Sequence, residues 1–576
     1  MKLREYKKNL KKEYESTFPQ KETKQKRQFQ FKLRYVFATA FGILLLALGI
    51  QHLYILGYNA GIERHNEKIR NEIMQEDLNQ LIPIDSKNQY DKIVLDYQNK
   101  ITFRNEKSSI LQNLFSLQFI GCSSSKGDAL PPPTNTGESS FQTNVQVQGV
   151  DESDVAKSDG KYIYYFDLNK LYIYKAETNS VIAESLDDGK ELYIFEDKII
   201  TLGTKKTRIY EWKQEKLTKK DELAYDIYLT SRLTDGILYL ASGTIMGKEE
   251  VKYTSCYYDS FSNPRYVYSL IKLNLTGLEK KETQLLSTNE VKLYASSQTF
   301  YFAAKEKNIT SISMFTLELE PIGVIRLLGT VLNQFSMDEY EGFFRVVTTD
   351  KTRDALEMNA LSIFDLNDAC KRVGYLDQGI GKEYQEVKSV RFDKNTCYIV
   401  TYENTDPLYE IDCSNPAEPK IISAYEAPGY SNYLHTFQIK NKEYVLGLGY
   451  TDARGSTKIS VYEKTNGTAQ IGKDFILSYN LPTKDYFNTG IYPSMFENHK
   501  ALFFYQDASY FYFGVQAAYD TYLMFKIDVE ASENVISIQK EIPIKNASHE
   551  KQASRAFLIE GILYITDGKQ IILEQF

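Results

Sequence analysis

The chain reads as an all-β body of repeated antiparallel sheets, set behind one membrane-crossing helix. Three observations predict this. From Val145 onward, short runs of Tyr, Ile, Val, Phe and Leu alternate with polar residues and stop at Asn, Asp and Gly turns. The aromatic set is lopsided, with 45 Tyr and 31 Phe against one Trp, and Tyr and Phe favour strands. An apolar run, 35–62, without a single Asp, Glu, Lys or Arg follows a strongly basic N-terminus. Repeated strand sets over 143–576 with no internal linker predict a β-propeller. At about 40–60 residues per blade, the ring is expected to hold about seven blades, with six or eight allowed.

Composition bounds the rest. The 576 residues are 42% hydrophobic and 25% charged, ordinary globular usage that excludes a disordered or collagen-like chain. Mean hydropathy of -0.41 excludes a polytopic membrane protein. The net charge of -7 is uneven: residues 1–34 carry twelve Lys and Arg against four acids, a net +8, which leaves -15 on the other 542 residues. An acidic body repels phosphate, so no nucleic-acid partner is expected.

Residues 1–34 read as a basic cytoplasmic arm, and 35–58 as a transmembrane helix of sufficient length to cross a bilayer core. Basic residues before the span hold the N-terminus in the cytoplasm and send the body outside, as a single-pass signal anchor in the cell membrane. Residues 59–120 read as a helical stalk, in which 86–100 (SKNQYDKIVLDYQNK) is an amphipathic helix candidate with Ser86 as its cap. Residues 121–142, rich in Gly, Ser and Pro, read as a linker.

The propeller occupies 143–576. Blade-like units stand at 159–179, 188–212, 235–245, 289–304, 360–376, 395–413, 458–477, 499–515 and 561–576. Closure is expected from strand residues near Asn144–Gly149 pairing with the C-terminal strands, which leaves no free edge at the chain ends.

Three segments resemble a bacterial and archaeal family of exported proteins with a C-terminal β-propeller domain, distantly similar to WD-repeat propellers. They are TNVQVQGVDESDVAKSDGKYIYYFDLNKLYIYKAE (143–177), VKSVRFDKNTCYIVTYENTDPLYEIDCSNPAEPKIISAYEAPGYSNYLH (387–435) and FENHKALFF (496–504), in the last of which the family pattern carries Asp at the Asn498 position. The resemblance covers roughly 86–576. It implies fold and export, and no activity. Some relatives bear a copper amine oxidase-like label, yet this chain holds no histidine cluster.

The chemistry-bearing motifs are few. Of five His, only His435, His499 and His549 lie in the body, widely spaced, and H-E-x-x-H and C-x-x-C are absent. Asp151, Asp154 and Asp159 form an acidic group suited to calcium, or equally to turns that bond their own backbone. No G-x-S-x-G elbow occurs, and Ser431 with His435 lacks an orienting third group. The stretch 467–474 departs from a phosphate loop by placing Asp474 where Ser or Thr is needed. The single Trp212 excludes propeller classes that repeat Trp. If the turn of 395–413 centres on Thr405, Cys397 opposes Cys413 within disulfide reach.

Tyrosine is the remaining binding candidate, because it joins apolar area to a polar tip. Tyr430, Tyr433, His435, Tyr492 and His499 are the expected binding residues, and Asp151, Asp154 and Asp159 the expected metal residues. The leading expectation is a membrane-anchored extracytoplasmic propeller that binds a protein or a cell-envelope polymer, with no catalytic residue and no cofactor. The alternative is an envelope enzyme with a channel-mouth site, calcium-dependent through the three Asp. A third reading is a structural partner in a membrane complex that associates through the stalk and Gln51-His52.

Overall fold

Among the described residues nine sheets follow one another along the chain, antiparallel but for one parallel pair. The structure is a computed structural model. It describes Lys8, 78–99, and 144–576 without 148, 168, 248–250, 289–290, 352–357, 403–405, 452–455, 466, 478–497, 519–520, 545–553 and 567–569. Residues 35–58, for which a membrane span is expected, lie outside the described residues, as do the basic arm (Lys8 apart) and 121–142. Among the described residues no helix is long and apolar enough to cross a membrane.

The sheets are blades 1 to 9, over 156–186, 189–224, 227–287, 291–328, 337–376, 386–427, 430–477, 503–543 and 555–575. Eight are meanders in which neighbours in sequence pair, and blade 3 adds two strands out of that order. Alternation of side chains puts apolar residues on both faces, because each blade is covered by another on either side. Nine core clusters result, one for each adjacent pair. Ile173 and Leu192 join blades 1 and 2, and Leu434 and Tyr398 join blades 6 and 7. Phe557 of blade 9 packs with Ile163 and Tyr165 of blade 1, which closes the ring.

The first strand of a blade is innermost and the last is outermost. Val387, Ser389, Val390 and Arg391 of Glu386–Asp393 are buried, whereas Lys216–Ala224 of blade 2 is exposed along most of its length. The ring therefore holds nine blades, not about seven. A repeat of about 40–60 residues does not fix the count over 143–576, because blade length varies from 156–186 in blade 1 to 227–287 in blade 3.

Closure also differs from expectation. Residues 144–154 add no strand to the C-terminal blade. Instead the segment runs among the inner strands, with isolated bridges from Asp151 to Leu233 of blade 3 and from Asp154 to Leu192 of blade 2. Nine inner strands leave a wider opening than seven, and this polar segment occupies it.

The stretch 78–99 packs on the rim. Ile82–Pro83 pairs with Cys256–Tyr258, which lies parallel to Lys280–Ser287, so blade 3 has six strands. A helix over 87–99 matches the amphipathic expectation; its Ile93, Val94 and Tyr97 cover Met246, Cys256 and Val267. Asn79 bridges to Val324 of blade 4. Gly323, at φ 155°, permits this approach, since a Cβ there would stand 2.7 Å from Asn79 O.

The pairing of Cys397 with Cys413 is not formed. Cys397 faces Ile411, so the register is displaced by two residues from a turn centred on Thr405. A shift of two keeps side chains on the same face, and both thiols stay buried in the core between blades 5 and 6. Unfolding without reductant is expected to raise the thiol titre by four, for buried Cys256, Cys370, Cys397 and Cys413; a smaller rise would require a bridge.

Candidate functional site

The acidic motif at 151–154 meets the inner strands at the centre of the ring. Each carboxylate finds a different partner. Asp151 accepts from Lys157 Nζ at 2.6 Å. Asp154, 2% exposed, receives Arg555 Nε at 2.9 Å on both oxygens and the guanidinium again at 2.8 Å. Asp159 binds its own turn, accepting from Lys161 N, Tyr162 N and Tyr164 Oη. The three therefore do not converge, and among the described residues no group of three His, Cys, Asp or Glu is placed to hold a metal ion. A chelator is expected to leave the melting temperature within about one degree of its starting value; a larger fall would mean that a bound cation supports the fold.

Sequence reasoning missed Glu152, the most connected group. It is buried between blades on opposite sides of the ring. Its Oε1 lies 3.6 Å from Arg232 of blade 3, and its Oε2 lies 3.2 Å from Nε2 of His499, just before blade 8. Arg232 also donates to Gln334 Oε1 at 2.9 Å. Beside it, Lys500 Nζ donates to Ser153 O at 2.6 Å and to Glu191 Oε1 at 3.0 Å. Ser153 Oγ donates to Glu191 Oε2 at 2.5 Å.

Burial alone would raise the Glu152 pKa, but the charges of Arg232, His499 and Lys500 outweigh it and hold the carboxyl well below the usual range. Burial pushes the His499 imidazole below 6.5, against the pull of Glu152. Burial also opposes the charge on Lys500, yet Glu191, Asp154 and Glu152 hold its pKa above 10.5. The signal available in sequence was Glu-Ser-Asp immediately before the first strand, a run too acidic for a strand and too short for a tail.

A cavity of about 530 Å³ opens beside this network. Its wall includes the exposed Lys190 and Leu229, the ring of Tyr228, and buried His499. Asn498 caps the turn His499–Ala501 by accepting from Lys500 N, a task that Asp performs equally.

The expected binding residues divide. His499 reaches the cavity. Tyr433 and His435 are fully buried on the inner strand Tyr430–Ile439 of blade 7; Tyr433 Oη accepts from Asn144 at 3.5 Å, and His435 stacks on Phe504 at 3.9 Å. Tyr430 packs against Tyr402, tilted by 32° with ring centres 4.2 Å apart, between blades 6 and 7. Tyr492 lies outside the described residues. The tyrosines of blades 3 and 8 stay apart: Tyr257 packs at the rim, and Tyr510 lies under Lys526.

Fold and centre together define a nine-bladed propeller whose inner strands hold the segment 144–154 that leads into its first blade. The chain belongs to the family described as the beta propeller domain, whose model matches residues 140–235 and 240–576. It is 25% identical to an uncharacterized protein of Archaeoglobus fulgidus over 456 residues, 59% of this chain and 71% of that one. It is 23% identical over 594 residues to an uncharacterized protein of Methanocaldococcus jannaschii, 84% and 89% of the two chains. Among solved structures, apo AztD from Citrobacter koseri matches at 10% identity and TM-score 0.37, over 67% of this chain and 94% of that one. A eukaryotic initiation factor matches at 13% identity and TM-score 0.38, over 70% and 89%.

Proposed function

We propose that this protein is a membrane-anchored propeller, held outside the cell, that binds a protein or a cell-envelope polymer at its axial cavity. The observation that carries the binding reading is the saturation of the charged groups around that cavity. Glu152 is held ionised by Arg232 and His499, and Lys500 is held protonated by Glu191. Groups locked in one charge state form a fixed electrostatic surface rather than a proton relay. What faces the opening is Lys190, Leu229 and Tyr228, a cation beside apolar and aromatic surface, which suits recognition. The membrane reading rests on the charge-free stretch 35–58 and the basic residues before it.

Two measurements test this. Protease added to intact cells is expected to digest the propeller; protection until lysis would refute the topology. A photo-crosslinker at Leu229 is expected to capture one envelope component, and Lys190→Glu to reduce that capture at least about tenfold, the effect of 1.4 kcal/mol in affinity. Capture unchanged by Lys190→Glu would refute the site.

A further inference from the structure

A second cavity, of about 430 Å³, opens on the rim between the helix 87–99 and blade 3, and none of its lining residues lines the axial cavity. Its size falls within the range of ligand sites, about 300–1,000 Å³. One wall is a helix face: Gln89, Ile93 and Tyr97 recur at every fourth position, with Lys92 and Asp96 beside them. The opposite wall is Tyr258 and the turn that follows it, with Ser260, Ser262 and Pro264.

Both walls are fixed by contacts of their own. Ile82 pairs with Tyr258, and Tyr90 Oη accepts from Gly247 N at 2.8 Å, which holds the helix in place. Asp259, 3% exposed, anchors the turn to blade 4 by accepting from Arg326 at 2.6 Å and from Ser311 Oγ at 3.0 Å. Asn263 N donates to Glu306 of the same blade at 2.7 Å. The polar groups at the opening are by contrast uncommitted. The hydroxyls of Tyr97, Tyr258 and Ser260, the ammonium of Lys92 and the carboxylate of Asp96 make no hydrogen bond or ion pair among the described residues. The helix supplies its own comparison: Lys87 and Asp91 have the same spacing and charges and pair at 2.5 Å, whereas Lys92 and Asp96, at the cavity, stay apart.

We propose that this rim cleft is a sugar-binding site that takes an uncharged pyranose unit of a glycan. Three properties select that class. Lys92 and Asp96 cancel in charge, so the wall favours neither an anion nor a cation. The half-buried rings of Tyr97 and Tyr258, with Ile93 and Pro264, offer apolar surface to the C–H face of a pyranose. Beside them stand three hydroxyls that both donate and accept, one ammonium that donates and one carboxylate that accepts, the mixture that sugar hydroxyls require. Walls already held in place limit the ordering cost of binding. The site is independent of the axial cavity, and neither reading rests on the other.

The test is saturation-transfer NMR on the full chain in a detergent without a sugar headgroup. Cellotetraose, chitotetraose and mannotetraose are the neutral probes, and tetragalacturonate is the charged one. Saturable transfer to the C–H protons of at least one neutral probe is expected. Tyr97→Ala is expected to weaken that binding at least about tenfold. Ser260→Trp, at an exposed position that the fold does not depend on, is expected to fill the cleft and weaken binding by a similar factor, which keeps the test decisive if Tyr97→Ala does not fold. Lys190→Glu, in the axial wall, is expected to leave sugar binding unchanged. Transfer to none of the neutral probes, transfer to tetragalacturonate alone, or binding unaltered by Ser260→Trp overturns the site. Binding lost in Lys190→Glu and kept in Ser260→Trp also overturns it, since the sugar then sits at the axis.

Discussion

Asp154→Ala is expected to cost about 3–5 kcal/mol, the effect of removing one partner from a buried ion pair. Asp154 and Arg555 are 2% and 3% exposed and 401 residues apart in sequence. Their contact ties the lead into blade 1 to the first strand of blade 9, and the rest of that seam is apolar packing and the Tyr564 hydroxyl, which donates toward Ala176 O and Asn179 Oδ1 at 3.4 Å. Removal of the carboxylate leaves the guanidinium of Arg555 buried and uncompensated. Hydrogen exchange is expected to show Arg555–Ile559 and Ile562–Thr566 opening first, since local stability follows the contacts that hold an element. The double variant Asp154→Leu with Arg555→Met is expected to be more stable than Asp154→Ala, because no charge is stranded. A loss below about 1 kcal/mol for Asp154→Ala, the scale of an exposed pair, would show that the seam does not depend on this bond.

Glu152→Gln carries an effect of the same order, about 3–5 kcal/mol by the same reasoning, and adds a pH signature. Folded Glu152 is held well below 4.5, so the unfolded chain binds the proton first. Its contribution is present above about 4.5 and is lost as pH falls below it, with a slope of about 1.4 kcal/mol per pH unit. His499 acts in the same direction at higher pH. Its folded pKa is depressed, so stability falls once pH drops below 6.5 and the unfolded imidazole charges. Urea unfolding across pH 3–8 is expected to show both limbs in the parent protein, and only the upper one from this pair in Glu152→Gln. An unchanged lower limb in the variant would remove Glu152 from the acid response.

Much of the architecture is legible because it is local. Strand patterns of the type Tyr162–Asp167 and Lys170–Lys175 need only period-two alternation and a turn between them. Nine units stand out in the sequence, and each overlaps a different one of the nine blades. The assumed repeat length hid that count, since the short blades 1 and 2 and the extended blade 3 share no period. The register at Cys397 failed for a related reason: a turn displaced by one residue moves every cross-strand partner by two.

The centre was not legible. Asp151, Asp154 and Asp159 are close in sequence and chemically alike, yet Lys157, Arg555 and a local turn claim them separately. Glu152 lies among them with no motif to mark it, and its partners Arg232 and His499 come from blades far along the chain. Tyr433 and His435 lie on the inner strand of blade 7, where burial in the ring gives them packing partners and leaves His435 without a hydrogen bond. By itself the sequence determined the all-β repeated body, the turns that end its strands, and the acidic lead before the first blade, since these depend on neighbours within a few residues. Only the tertiary structure decided the number of blades, the placing of that lead at the axis, and which buried charges pair with which. Those depend on ring closure, which brings together residues hundreds of positions apart, where burial makes each unpaired charge costly.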